Sequence, residues 1–585
     1  MWSSSCLRAL FVLFLETAWV SGLPACQDSQ ELPILTLPYA RVRARSYDEW
    51  SDCYTFSNIP FAAKPVGENR WRSPQPPEQN DTLIDGSYGP SCIHGQSVLS
   101  KSGNRSADSA KPLGSQSEDC LYLDVVVPGK AVRDPQSFRL PVIQYVYGGS
   151  YYTGSKTRND GSNIVKSSGN NVIYVAANYR AGAFGFLAGD TMEREATPNA
   201  GLHDIHAAFK WTHRFISLVG GDPKRISAWG ESAGAGSLFA LLTAHAGTQD
   251  PLFRTAVLQS PAIDFAWDRQ GTLETRFRQF ADAAGCVGQG VVACLRNASA
   301  EALVAANAAP SKALPFKGRT PWAPAADGMF LRQMPRLEYE AGNFWPRLDA
   351  LVVSHTGHEG VVFVDASVDS DERWATYTDF FFSPVASVAR EVAARFAGLR
   401  DPRDRVERVV DQGRIVCTAR LLVDRFVDAG LTRVYNMVYD RGEGLHGSDV
   451  GPTFATLDPS KDIQGADVGY QSYLISLARA GDPNTYRLAS TTTPSTVLWP
   501  QADVNETRAE QYERALRVVD EGYVVGADPT DSRMDCGFWS DVAVAVTNEG
   551  GYAPPGSVRN QSLVPQVGDP SARVNIEGLS FLPGE

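Results

Sequence analysis

Residues 225–245 read RISAWGESAGAGSLFALLTAH, and Gly230, Glu231, Ser232, Ala233 and Gly234 form a G-x-S-x-G run within them. A serine hydroxyl is a weak nucleophile until a neighbouring base takes its proton. Residues 226–229 read as a strand, and a helix is expected over 233–245. A serine on so tight a turn leaves little room for side chains two positions either side, and glycines at 230 and 234 supply that room. The turn lifts the Ser232 hydroxyl over the sheet. The helix N-terminus then aims free amides at any negative charge that develops there. A turn of small residues without chemistry would share the five-residue pattern; the strand before it and the helix after it separate the two readings.

Such a serine is followed along an α/β chain first by an acid, then by a histidine. Of the eight histidines, His94 precedes the core motifs. His203, His206, His213 and His245 lie in helical segments and read as packing or surface residues. His446, in GLHGSDVGPTF, follows an apolar run ending at Tyr439 and is the candidate base. His355 and His358, in SHTGHEGVVF, are its rivals. Hydrolysis of this kind requires neither a metal nor an organic cofactor.

These groups need a scaffold. Apolar, β-branched runs cover 140–147, 171–178, 348–354 and 433–439. Continuous runs of this kind suit strands buried on both faces. Helical patterns over 203–216 and 233–245 lie between them. The alternation predicts an α/β fold with a mostly parallel central sheet. Sites in such sheets form beyond the carboxyl ends of the strands, and the candidates each fall just after one. The chain has 585 residues, 43% hydrophobic and 21% charged, and no internal repeat; it can bury a large core unaided. Its net charge of −12 argues against nucleic acid and anionic membranes as partners.

Several ordered segments resemble the type-B carboxylesterase/lipase family, which includes the cholinesterases, and especially its secreted fungal members. They are 58–72 (NIPFAAKPVGENRWR), 117–123 (SEDCLYL), 178–187 (NYRAGAFGFL), 199–204 (NAGLHD) and 220–223 (GGDP). The resemblance implies one α/β-hydrolase domain over 23–585, with a large, mostly parallel sheet flanked by helices. It implies a serine carboxylic ester hydrolase with Ser232 as nucleophile, His446 as base and Glu359 as acid; Asp365 is the alternative acid. The family more often carries a second acid just before the first, where this chain has His358. By the same match, YGGSYYTG at 147–154 is the oxyanion loop, and the amides of Gly149, Ser150 and Ala233 are the donors. Gly149 is expected to clear the substrate's approach. Position 150 is commonly Gly or Ala in the family; Ser150 is expected to narrow the site against bulky acyl groups and tertiary-alcohol esters. The resemblance also implies disulfides Cys92–Cys120, Cys286–Cys294 and Cys417–Cys536, leaving Cys26 and Cys53 as a pair by elimination.

The resemblance implies a small-molecule ester as substrate. Lipase members carry an amphipathic lid in the loop between Cys92 and Cys120; here that loop is rich in Ser, Gly and Lys without a helical apolar face. Cholinesterase members place a Trp there for a quaternary ammonium, and this loop has none. The expectation is therefore hydrolysis of small to medium soluble esters; acylglycerol lipase and cholinesterase-like activity are the alternatives. Some relatives keep the fold as non-catalytic binding or adhesion proteins, but here serine, acid and base are all present.

Residues 1–22 read as a signal peptide: Arg8, then a short apolar run, then small residues. Removing that leader with Cys6 leaves an even number of cysteines, as a disulfide framework requires. Sequons at Asn80, Asn104, Asn297, Asn505 and Asn560 offer glycosylation sites. No membrane anchor is expected. The expectation is a secreted, extracellular glycoprotein.

Overall fold

The computed structural model describes residues 32–95, 115–263, 271–316, 320–382, 385–456, 465–488, 495–502, 514–530 and 533–549. The leader, Cys26, Asn104, Asn505 and Asn560 lie outside the described residues; Asn80 and Asn297 are exposed.

The apolar runs fold into one sheet. Its strands, in chain order, are β1 (Ser46–Asp48), β2 (Cys53–Pro60), β3 (Tyr122–Pro128), β4 (Leu140–Val146), β5 (Ile173–Ala177), β6 (Gly221–Glu231), β7 (Thr255–Gln259), β8 (Ala350–Thr356), β9 (Val434–Asp440), β10 (Ala515–Val519) and β11 (Gly522–Gly526). Their spatial order is β11-β10-β9-β8-β7-β6-β4-β5-β3-β2-β1. Every pairing from β10 across to β5 is parallel, and the flanking pairings are antiparallel. Each residue of β4, β5, β7 and β8 is buried. This is why their sequences run apolar without alternating. Trp229 of β6 sits opposite Tyr145 of β4 and Val257 of β7, fixing the register at the centre.

Helices α1 (Ala200–Phe215) and α2 (Ala233–Leu241) pack against β6. Helix α3 (Cys417–Asp428) packs against β8 and β9, and α4 (Gly465–Ala480) against β4, β6 and β7. All of α2 is buried, so it is apolar all round rather than amphipathic. It ends four residues before the sequence-based bound. Thr243 and Ala244 donate to carbonyls only three residues back, and His245 and Ala246 turn left-handed while the His245 amide bonds the Phe330 carbonyl. Contacts with a distant segment thus stop a helix that local propensity would prolong.

The family-like segments meet as buried ion pairs. Arg70 grips Glu118 through two hydrogen bonds of 2.7 Å, and Arg180 grips Asp204 through two more of 2.7 Å. Such forked pairs fix orientation as well as distance.

Cys92–Cys120, Cys286–Cys294 and Cys417–Cys536 are disulfides. The fourth pairing, Cys26–Cys53, involves Cys26, which lies outside the described residues. Cys53 carries a free, buried thiol beside the Ser51 carbonyl, and burial pushes it up to about 11, where it is inert at neutral pH. Among the described residues, no helix is long and apolar enough to cross a membrane.

Candidate active site

The parallel strands deliver their carboxyl ends to one edge. Ser232 follows β6, Glu359 follows β8 and His446 follows β9. At Ser232 the backbone turns through φ 54° and ψ −123°, a strained conformation for a residue with a side chain. Hydrogen bonds hold it there. The Ser232 amide donates to the Gln259 carbonyl at 2.9 Å, and its carbonyl accepts from Gly236 at 2.8 Å and Ala262 at 3.2 Å. A Cβ at position 234 would collide with the Val146 carbonyl oxygen, so the glycine anticipated after the serine is sterically required.

Ser232 Oγ lies 2.8 Å from His446 Nε2. The opposite ring nitrogen, Nδ1, is hydrogen-bonded to Glu359 Oε2. Glu359 Oε1 accepts from Ser260 Oγ at 2.6 Å and from the Thr356 amide at 2.7 Å. Hydroxyl, imidazole and carboxylate are therefore in line. Their side chains are buried: the His446 ring is 4% exposed and Glu359 fully enclosed.

The electrostatics follow from this enclosure. Burial favours a neutral Glu359, but the imidazole and the hydrogen bonds outweigh it and hold the carboxyl below its ordinary range. Burial also opposes charge on His446; Glu359, then Glu231 and Asp449, outweigh it and raise the ring to about 9. Glu231 Oε1 stands 3.5 Å from His446 Nε2, and burial pushes this carboxyl up to about 7. Asp449 rises to about 6 by burial and by the nearby Glu359. Gln259 donates to Asp449 Oδ2 at 2.9 Å and to Tyr470 Oη at 2.8 Å, tying this acid to α4. The Phe363 ring packs 5.1 Å from the imidazole.

The loop after β4 lies against the elbow. A Cβ on Gly148 would come within 2.8 Å of Ser232 Cβ. Gly149, Ser150 and Tyr151 take φ values of 124°, 56° and 58°. Two successive non-glycine residues in the left-handed region cost about 1–3 kcal/mol each and need outside support. Tyr151 supplies it, donating from Oη to the Ala262 carbonyl at 2.7 Å while its own carbonyl accepts from Gly182. At Gly149 a Cβ would strike the Thr153 carbonyl. The loop's own turn thus requires a glycine there, and Gly148 is the residue packed directly against the serine. Ala233 follows Ser232 directly at the start of α2.

The rival candidates fall elsewhere. His358 is exposed, 3.7 Å from Glu407. His355 is buried against Asp528. Asp365 accepts from the Ser367 amide in a local turn. His203 and His245 pack on Phe330, His206 meets Gln249 and His213 is exposed. Among the described residues, no group of His, Cys, Asp and Glu is arranged to hold a metal.

Ser260 and Asp449 are absent from the sequence reading. Each stood within reach of it: Ser260 immediately follows β7, and Asp449 lies three positions after the candidate base.

The sequence profile of the carboxylesterase family matches residues 31–396. The chain belongs to the carboxylesterase family. It is a carboxylic ester hydrolase with an α/β-hydrolase fold. A secreted lipase of Arthroderma benhamiae is 36% identical over 563 residues, covering 93% of this chain and 99% of that protein. Carboxylesterase patB of Aspergillus clavatus is 27% identical, covering 91% and 99%. Among solved structures, that of Aspergillus niger EstA superposes with a TM-score of 0.75 at 24% identity, covering 89% of this esterase and 99% of that chain. That last likeness speaks to the fold alone.

Proposed function

We propose that this esterase works through an acyl-enzyme on Ser232, with His446 as base, Glu359 as the acid that orients it, and the amides of Gly149, Ser150 and Ala233 as oxyanion donors. The observation that carries the reading is the unbroken line from Ser232 Oγ through both nitrogens of His446 to Glu359. Ser232 Oγ attacks the ester carbonyl carbon and gives its proton to His446 Nε2. The carbonyl oxygen becomes an oxyanion facing the amides. Collapse expels the alkoxide, which leaves as alcohol with the proton from His446. Water, deprotonated by the same ring, then attacks the acyl-enzyme and releases the acid. Glu359 keeps Nδ1 protonated and balances the transient imidazolium. A fluorophosphonate is expected to label the protein once, on the peptide containing Ser232. Labelling on another serine, or none, refutes the assignment.

The preferred substrates are small to medium soluble esters, with Ser150 restricting bulky acyl groups and esters of tertiary alcohols. Support comes from the composition of the loop between Cys92 and Cys120, most of which lies outside the described residues. The name of the Arthroderma relative favours the second reading, a lipase. The two diverge on a short-chain triglyceride: the rate is expected to rise smoothly through its solubility limit, and a sharp jump there assigns the protein to the lipases. Export completes the proposal, with 1–22 removed, one domain retained over 23–585, and Asn80 and Asn297 available for glycosylation. The three disulfides support an oxidising compartment.

A further inference from the structure

His355 is the penultimate residue of β8, beside the site, and the mechanism above leaves it unused. Its two ring nitrogens both face acceptors. Nε2 lies 2.6 Å from Asp528 Oδ2, and Nδ1 lies 3.0 Å from the Thr356 carbonyl oxygen. A neutral imidazole carries one N–H and one lone pair, so it can serve only one of them; the imidazolium serves both. Both side chains of the pair are 2% exposed. Asp528 is itself held, accepting from the Thr530 amide at 2.9 Å and the Thr530 hydroxyl at 2.8 Å. A buried charge so completely paired is an arrangement rather than an accident of packing.

The pair sits where the acid is fastened. The carbonyl that His355 binds belongs to Thr356, and the amide of that same residue donates to Glu359 Oε1. We propose that His355 and Asp528 form a positioning pair for Glu359. The imidazolium places a fixed positive charge behind the acid and pins the 355–359 turn, so that Oε1 is occupied and Oε2 is presented to His446. The pair also ties the segment after β11 to the site across 173 residues of sequence. This inference rests on the Ser232–His446–Glu359 reading.

Among the described residues, the charged groups acting on this corner include Asp528 after β11, Glu359 and His446 in the site, Glu231 at the elbow, Asp449 beyond His446, and Asp411, which accepts from the Gly360 amide and has Glu407 and Arg408 near it. Besides His446, His355 is the cation of this set that is hydrogen-bonded into the 355–359 turn, through the Thr356 carbonyl. Removing its charge makes protonation of the Glu359–His446 unit easier. The free base then appears only at higher pH.

The test is the pH profile of kcat/KM for a soluble aryl ester in His355→Gln and Asp528→Asn, normalised to sites titrated with fluorophosphonate. Asp528→Asn leaves the ring without its anion, and burial then favours its neutral form. Both variants are expected to move the acid-side midpoint up by roughly half to one pH unit. Near neutral pH, kcat should fall several-fold with KM little changed. A purely structural pair would lower the number of active sites and leave the midpoint in place. Variants that label at Ser232 yet keep the wild-type midpoint overturn the inference while the triad stands. A wild-type protein that does not label at Ser232 overturns the triad itself. Should neither variant fold, ¹⁵N-histidine NMR of the wild type decides: His355 is expected to carry protons on both nitrogens at pH 7, and a neutral ring refutes the proposal.

Discussion

Ser232→Ala is expected to lower kcat/KM for a soluble aryl ester by about 10⁴-fold or more, with the folded protein intact. The size follows from what the hydroxyl does. It forms the bond to carbon, and among the described residues no other hydroxyl is hydrogen-bonded to His446 Nε2: that nitrogen lies 2.8 Å from Ser232 Oγ, while Ser260 is turned to the far oxygen of Glu359. Alanine keeps the Cβ that fits beside Gly148 and the backbone bonds to Gln259, Gly236 and Ala262. Stability should therefore change by no more than about 1 kcal/mol. The residual rate reports what the loop amides and Glu231 do to water alone. Activity within tenfold of the starting protein would remove Ser232 from the mechanism.

The elbow was legible in the sequence because its requirement is local. A serine between strand and helix, with glycines two positions either side, is a constraint that five adjacent residues can state. The buried strands were legible for a similar reason, since runs such as 171–178 and 348–354 are apolar without alternation. What fastens the acid was not legible. Ser260 and Glu359 are 99 residues apart, and only the parallel packing of β7 beside β8 brings their strand ends together. The turn at Gly149 was equally hidden: its positive φ goes with a turn closed by the Tyr152 and Thr153 amides, which donate to the Gly149 carbonyl, a loop conformation that no spacing rule announces. The Cys26–Cys53 pairing rests on counting cysteines alone, and counting says nothing of the burial that raises the Cys53 thiol beside the Ser51 carbonyl.

Glu359→Gln is expected to reduce kcat/KM by about 10³–10⁴-fold near neutral pH and to move the acid-side midpoint down. The amide keeps the shape of the carboxylate but removes the charge that outweighs burial in holding His446 up to about 9. In the starting protein the base is thus largely protonated at neutral pH, and activity should climb with pH toward that value. Without Glu359, burial again favours the neutral ring, opposed only by Glu231 and Asp449, so the midpoint falls. The loss in rate arises because the amide leaves the imidazolium of the transition state unbalanced and no longer enforces the Nδ1 tautomer. Stability should report the same pair from both sides. The raised pKa of His446 contributes stability that is complete below the unfolded value of about 6.5 and is lost as pH rises through about 9. The lowered pKa of Glu359 contributes stability present above the unfolded value of about 4.3 and lost as pH falls through its depressed folded value. The thermal midpoint of Glu359→Gln should therefore fall furthest below that of the starting protein between these limits, and the two curves should converge at either extreme. A variant whose midpoint for activity stays in place, or rises, places the carboxylate that governs His446 elsewhere.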